Sequence, residues 1–247
     1  MKKPAALLLL MILVHVAAAQ EAAPARPHLL KLNLSSFAAG NISLQYEHVL
    51  SRRSAAALGL RVMPRAGLPF RGTVEDLAAD NNATAKELIH TSRLGGFAIT
   101  PEFRYYFGPG HGRGFYLAPF LRYERFNITS DYAFTAPDNT YHQLRFQGAD
   151  NVYGAGLMLG VQFRLKSWLY LDCWIAGPYY THHSLALKAT GFAISEEAAA
   201  ILQDELDKTE VMHFDTEATA RTTEAQLRIR GSLGAVRALG LCLAFRF

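Results

Sequence analysis

Eight charged residues recur on one phase of an alternating pattern: Glu47, Arg61, Glu102, Arg104, Arg122, Glu124, Asp172 and Arg246. Equal numbers of acids and bases at a period of two suit an ion-paired interior or the gating of a narrow polar path. A second constellation is THHS (181–184), in which His182 and Ser184 stand two apart. On a strand that spacing sets an imidazole base beside a hydroxyl nucleophile on one face. Metal chemistry has less to stand on. There is no HExxH pattern, Cys173 and Cys242 are solitary, and the adjacent His182 and His183 point to opposite faces. No metal or cofactor is expected.

The elements that carry these residues read as strands, because apolar and polar residues alternate with a period of two. The segments are 29–37, 41–50, 55–63, 97–107, 115–126, 152–165, a seventh that begins after Ser167, and 239–247. All eight charges fall on the polar phase. Phe97, Phe103, Tyr105, Phe107, Phe115, Tyr123, Phe163, Phe245 and Phe247 fall on the other phase, several of them near strand ends. Connections after strands two, four and six are brief, whereas 64–96, 127–151 and 181–232 are long. The connection after strand one, AAG (38–40), is the short exception. Within the long connections, residues 74–89 have helical character and 127–151 reads as a hairpin extension with its tip at 136–139. Ser195 with Glu196 and Glu197 opens a helix whose apolar stripe is Ile194, Ala198, Ile201, Leu202 and Leu206.

Alternating short and long connections predict an all-β fold: an eight-stranded antiparallel transmembrane β-barrel, with short helices in long extracellular loops. A soluble β-sandwich would have to bury the apolar phase between two sheets, and the number of aromatic residues on that phase tells against it. A one-residue slip would turn the charges toward lipid, where Arg or Lys at the midplane costs about 2–4 kcal/mol. The outward phase therefore meets lipid. The inward phase fills the bore, since eight strands leave room for little but side chains. Cys173 points outward and Cys242 inward, so they are expected to stay reduced. Pro101 and Pro119 each remove a ladder donor, and the pattern alone offers no reason for them.

At the N-terminus, Lys2 and Lys3 precede an apolar run from Ala5 to Val16 and three alanines, which reads as a signal peptide over 1–19. The run is shorter than the roughly 20 residues of a spanning helix. Residues 20–28 form a tail and 29–247 the barrel. Without Lys2 and Lys3 the formal charge falls from +4 to +2, too small a surplus to suggest nucleic acid as a partner.

Four segments, ITPEFRYYFG (99–108), FYLAPFLRYERF (115–126), LYLDCWIAGPYY (169–180) and VRALGLCLAFRF (236–247), resemble the blocks of an uncharacterised family of outer-membrane β-barrels from Bacteroidota, a domain of unknown function. The resemblance implies an eight-stranded barrel and an outer-membrane address. It supplies no activity and no site residues. In architecture the chain is also similar to small OmpA/OmpX-type barrels. Phe247 resembles the terminal aromatic that the barrel-insertion machinery reads, and outer-membrane lipid is the other expected partner.

The expected role is structural or interactive at the cell surface, with a filled bore and any unknown ligand or protein partner held by the extracellular loops. The 193–217 region is a candidate, with eight acids from Ser195 to Glu217 against the single Lys208. Two alternatives stand beside this reading. A narrow polar path could run through the bore. The His182/Ser184 pair resembles that of an outer-membrane lipid A deacylase, although its phase points inward, away from lipid, and no acid is evidently placed to orient the histidine.

Overall fold

The computed structural model describes residues 26–67, 72, 83–136, 139–208 and 214–247. The leader expected over 1–19, most of the following tail, the first part of the 74–89 helix and two residues of the 136–139 tip lie outside them.

Among the described residues twelve elements follow in order: β1 (His28–Asn33), α1 (Ser35–Ala38), β2 (Ile42–Val49), β3 (Ser54–Gly67), α2 (Ala83–Thr91), β4 (Arg93–Tyr106), β5 (Gly114–Thr135), β6 (Tyr141–Arg164), β7 (Leu169–Thr190), α3 (Glu196–Asp207), β8 (Phe214–Ala220) and β9 (Glu224–Arg246). Each of β1 to β6 pairs antiparallel with the next, β7 pairs with β9, and β9 closes the ring on β1. The fold is therefore all-β, a ring of eight antiparallel strands. β8 lies outside the ring, paired only with the first part of β9.

The wall is inside out relative to a water-soluble sheet. Lys31, Glu47, Arg104 and Asp172 have no side-chain exposure, whereas Leu58, Leu60, Val62, Phe97, Ile99, Phe103 and Tyr105 face outward. Aromatic pairs cluster on that outward face, among them Phe97 on Tyr123, Tyr123 on Tyr153, and Trp168 stacked on Phe245. The two prolines share one seam. Pairing between β4 and β5 skips from Ile99↔Tyr123 to Glu102↔Phe120 and then to Tyr105↔Leu117, so their missing donors fall where the ladder lapses.

Three departures from strict alternation shape the barrel. β1 stops at Asn33 rather than running to Phe37. The Asn33 carboxamide oxygen accepts from the Ser36 backbone N–H (3.1 Å) and the Ser35 hydroxyl (2.9 Å), a side-chain turn that replaces the next ladder bonds. The second departure is a bulge at Ile175, where pairing jumps from Leu159↔Ala176 to Gly160↔Trp174. On β9 the matching extra residue is Leu239, with φ +56°. Above these two bulges the inward phase of β7 and β9 changes from even to odd positions.

β5, β6, β7 and β9 have 22 to 24 residues, against 6 for β1 and 8 for β2. A tilted spanning strand needs only about 9–11 residues. The hairpin extension expected over 127–151 is sheet that continues past the ring, and so is much of 181–232, expected as a loop. On its inward face, Tyr132, Phe134, Leu144, Phe146, Leu187 and Leu227 bury Leu88 of α2 and Ala198, Leu202 and Leu206 of α3. The helix in 193–217 begins as its sequence suggests: Ser195 Oγ accepts from the Ala198 N–H (3.1 Å), with Glu196 and Glu197 in the first turn. Its apolar stripe covers this upper core.

Candidate functional site in the bore

The period-two pattern turns alternate residues of every wall strand toward one axis, and the ring brings charges from distant strands together there. Arg104 (β4) is central. Its Nη1 donates to Asp172 Oδ2 (2.7 Å) and Glu47 Oε2 (3.1 Å), and its Nη2 donates to Glu102 Oε2 (3.0 Å) and Gln45 Oε1 (2.7 Å). The guanidinium also lies 4.3 Å from the Tyr116 ring centroid. Lys31 Nζ reaches Glu47 Oε2 (2.5 Å) and Asp172 Oδ2 (2.6 Å), and spends its third donor on Gln162 Oε1. Tyr116 donates to Asp172 (2.8 Å) and Tyr106 to Glu47 (2.7 Å). Buried carboxylates are tolerable only when saturated in this way.

The network fits because small residues face it. A Cβ on Gly160 would run into the Tyr116 ring, and one on Gly240 into Trp174. From below, the turn at 108–114 folds under the bore: the Gly112 carbonyl accepts from Gln162 Nε2 (2.7 Å) and the His111 carbonyl from Arg246 Nη1 (2.9 Å). Gly108, Gly110, Gly112 and Gly114 all take positive φ in this turn, which accounts for its glycine content.

A second layer sits above the first. Arg61 Nη2 pairs with Glu124 Oε2 (2.5 Å), Arg122 pairs with Glu124 Oε1 through its Nε and donates from Nη1 to Thr100 (2.7 Å). Arg237 donates to Glu102 Oε1 (3.3 Å), its guanidinium 4.8 Å from the Phe120 centroid and 4.7 Å from that of Trp174. Over this layer lies a cavity of about 470 Å³ that touches Arg61, Arg122, Arg237, Trp174 and Tyr179.

Of the eight residues picked from sequence, Glu47, Glu102, Arg104 and Asp172 meet in the lower layer, and Arg61, Arg122 and Glu124 in the upper one. Arg246 stands apart at the short-turn end and bonds to the Arg26 and His111 carbonyls and the Tyr170 hydroxyl, with no carboxylate partner among the described residues. Sequence reasoning passed over Lys31 and Arg237. Lys31 already stood on the polar phase of its strand. Arg237 lay before the expected start of strand eight, on a phase that only the Leu239 bulge turns inward.

The expected inward phase of His182 and Ser184 is overturned by the Ile175 bulge. His183 is the inward histidine, with Nδ1 2.8 Å from Asp150 Oδ2 and Nε2 3.2 Å from Thr181 Oγ1. His182 is exposed and bonds to Ser232 (3.0 Å). The acid beside a histidine therefore serves His183, whose neighbour Thr181 is buried and donates to the Leu233 carbonyl (3.0 Å). Cys173 and Cys242 are both free, set diagonally across β7 and β9 by the pairs Asp172↔Cys242 and Cys173↔Leu241.

A search of curated proteins finds no match. Among solved structures the chain is similar to a "TodX monoaromatic hydrocarbon channel deltaS2 mutant", at 9% identity and a TM-score of 0.21, over 90% of this chain and 72% of that one. A family model matches residues 6–189, from ahead of β1 to within the end of β7, and the chain belongs to that family, described as "Protein of unknown function (DUF3575)".

Proposed function

We propose that the protein is an integral outer-membrane barrel with a closed bore, acting through the sheet and helices that rise above the ring in a structural or surface-interaction role. The observation that carries this reading is the Lys31–Glu47–Arg104–Asp172 network, which crosses the bore with every side chain fully buried. An apolar outer wall around an ionic interior is what a bilayer demands of a strand-built protein. In architecture it stands with the small OmpA/OmpX-type barrels and in origin with Bacteroidota; outer-membrane lipid surrounds it, and Phe247 engages the insertion machinery. This reading assigns no hydrolytic role: His182 bonds to Ser232 outside the bore, and Asp150 pairs with His183 instead.

Planar-bilayer recording tests the closed bore. The reconstituted protein should give no steady conductance, and a stable unitary step would sink the proposal. For the surface role, a pull-down with the intact barrel in detergent should retain partners that a form lacking 193–216 loses. Lipid A from cells expressing the protein should be unchanged by mass spectrometry.

A further inference from the structure

The early end of β1 leaves a break in the wall. β1 pairs with β9 only from Leu29↔Arg246 to Asn33↔Cys242, and β8 joins the same edge of β9 no lower than Phe214↔Gly231. Between them, among the described residues, the β9 edge from 232 to 240 has no strand beside it. The Leu34 N–H to the Leu241 carbonyl (2.7 Å) and the Leu241 N–H to Ser35 Oγ (3.0 Å) close the bottom of the gap. Both sides of the gap line the cavity: Ser35, Ser36 and Ala39 on one, Val236 to Gly240 on the other. Unpaired backbone at membrane depth is tolerated where it lines a polar cavity. The rim is apolar, with Leu34 and Phe37 exposed on the β1 side and Val236, 66% exposed, and Leu239, 85% exposed, on the β9 side.

Inside, the chemistry has the opposite character. The two layers of the bore hold five cations, Lys31, Arg61, Arg104, Arg122 and Arg237, against the four carboxylates Glu47, Glu102, Glu124 and Asp172. The surplus positive charge falls in the upper layer, where Arg61 and Arg122 share Glu124, and among the described residues no acid lines the cavity. Two lining residues carry buried donors without a partner among the described residues, Arg61 Nε and Trp174 Nε1. Orphaned buried donors in a positively charged pocket call for an anionic acceptor.

We propose that the cavity and the gap together bind an anionic amphiphile, whose carboxylate or phosphate head enters beside Arg61, Arg237 and Trp174 while its hydrocarbon chain leaves between Leu34 and Leu239 into the bilayer. The volume suits a head group and the first part of a chain. The site rests on the outer-membrane, closed-bore reading above and deepens it: the surface role includes holding a lipid at the wall.

Trp174 is a built-in reporter, since the chain has two tryptophans and a Trp168→Phe variant leaves one. The full-length barrel in a non-ionic detergent is titrated with a brominated fatty acid, brominated phosphatidylglycerol, and two uncharged or zwitterionic counterparts, the brominated methyl ester and brominated phosphatidylcholine. Saturable quenching of Trp174 by the anionic probes is expected. Arg61→Gln should raise the half-quenching concentration about tenfold, the loss of one charge-assisted bond, and Arg61→Lys should recover part of it. Ala39→Glu, an exposed change at the rim outside the ionic layers, should weaken binding similarly, and Arg246→Gln at the other end should not. Tighter quenching by the free acid assigns a fatty acid, and tighter quenching by phosphatidylglycerol a membrane lipid. Equal quenching by the neutral probes, or no change in both Arg61→Gln and Ala39→Glu, overturns the site. Conductance measured on the same preparation separates the two proposals: a closed barrel that does not bind refutes only the site.

Discussion

Replacing Arg104 with Met keeps the length of the side chain and removes the cation on which three carboxylates converge. With Arg237 counted, the lower layer is balanced at three cations, Lys31, Arg104 and Arg237, and three acids, Glu47, Glu102 and Asp172. Without Arg104 one buried negative charge is left over. Lys31 still holds Glu47 and Asp172, and Arg237 still holds Glu102, so the cost is that of one broken buried pair rather than three, about 3–5 kcal/mol. A charge pair at 4 Å in a medium of effective dielectric 20 interacts by about 4 kcal/mol, the same scale. Asp172→Asn in the same chain restores a balance of two cations and two acids, and the pair should show a coupling of about 0.5–3 kcal/mol. Urea unfolding of the refolded barrel in detergent, followed by tryptophan fluorescence, gives both numbers. Arg104→Met within about 1 kcal/mol of the parent, or no coupling to Asp172→Asn, would falsify the view that the bore is held by mutual ion pairing.

Arg246→Met, which gives up carbonyl and hydroxyl partners and a contact with the Tyr170 ring, should cost about 1–3 kcal/mol in the same assay, less than Arg104→Met. Gly160→Ala should cost about 1–3 kcal/mol by forcing the Tyr116 ring off its site, whereas Gly234→Ala, with open space at its Cβ, should stay within about 0.5 kcal/mol. In the upper core, Leu202→Ala should destabilise the packing of α3 by about 2–5 kcal/mol. Its signature would be faster proteolysis near 193–216 with the heat-modifiable barrel band unchanged, and loss of that band would show that ring and upper core do not fold as separable units.

Much of the wall can be read along the chain because the side-chain period of a strand is local. Glu47, Glu102 and Arg104 announce their face by the residues one step either side, and Leu58, Leu60 and Val62 announce the opposite one. The site is less legible. Lys31 carried the right phase, but nothing beside it in the chain says which acids it meets, and only the ring sets it between Glu47 and Asp172. Arg237 and the histidines 182 and 183 were misplaced or passed over, because single inserted residues at Ile175 and Leu239 reverse the phase of everything above them. Neither residue differs in type from its neighbours, so the local pattern holds no sign of the bulge. The end of β1 has a sequence signal in Asn33-Ser35-Ser36, but one whose consequence, a gap beside β9, depends on strands about 200 residues away.

The sequence by itself determined the class of the fold, the face each wall strand turns outward below the two bulges and the charges gathered on the opposite face, since these follow from local alternation. Only the tertiary structure decided which charges pair, where the wall is left open and that the long connections build a second apolar core. Those outcomes depend on register between strands distant in the chain, and register is an energy shared across the closed ring rather than a property of any one segment.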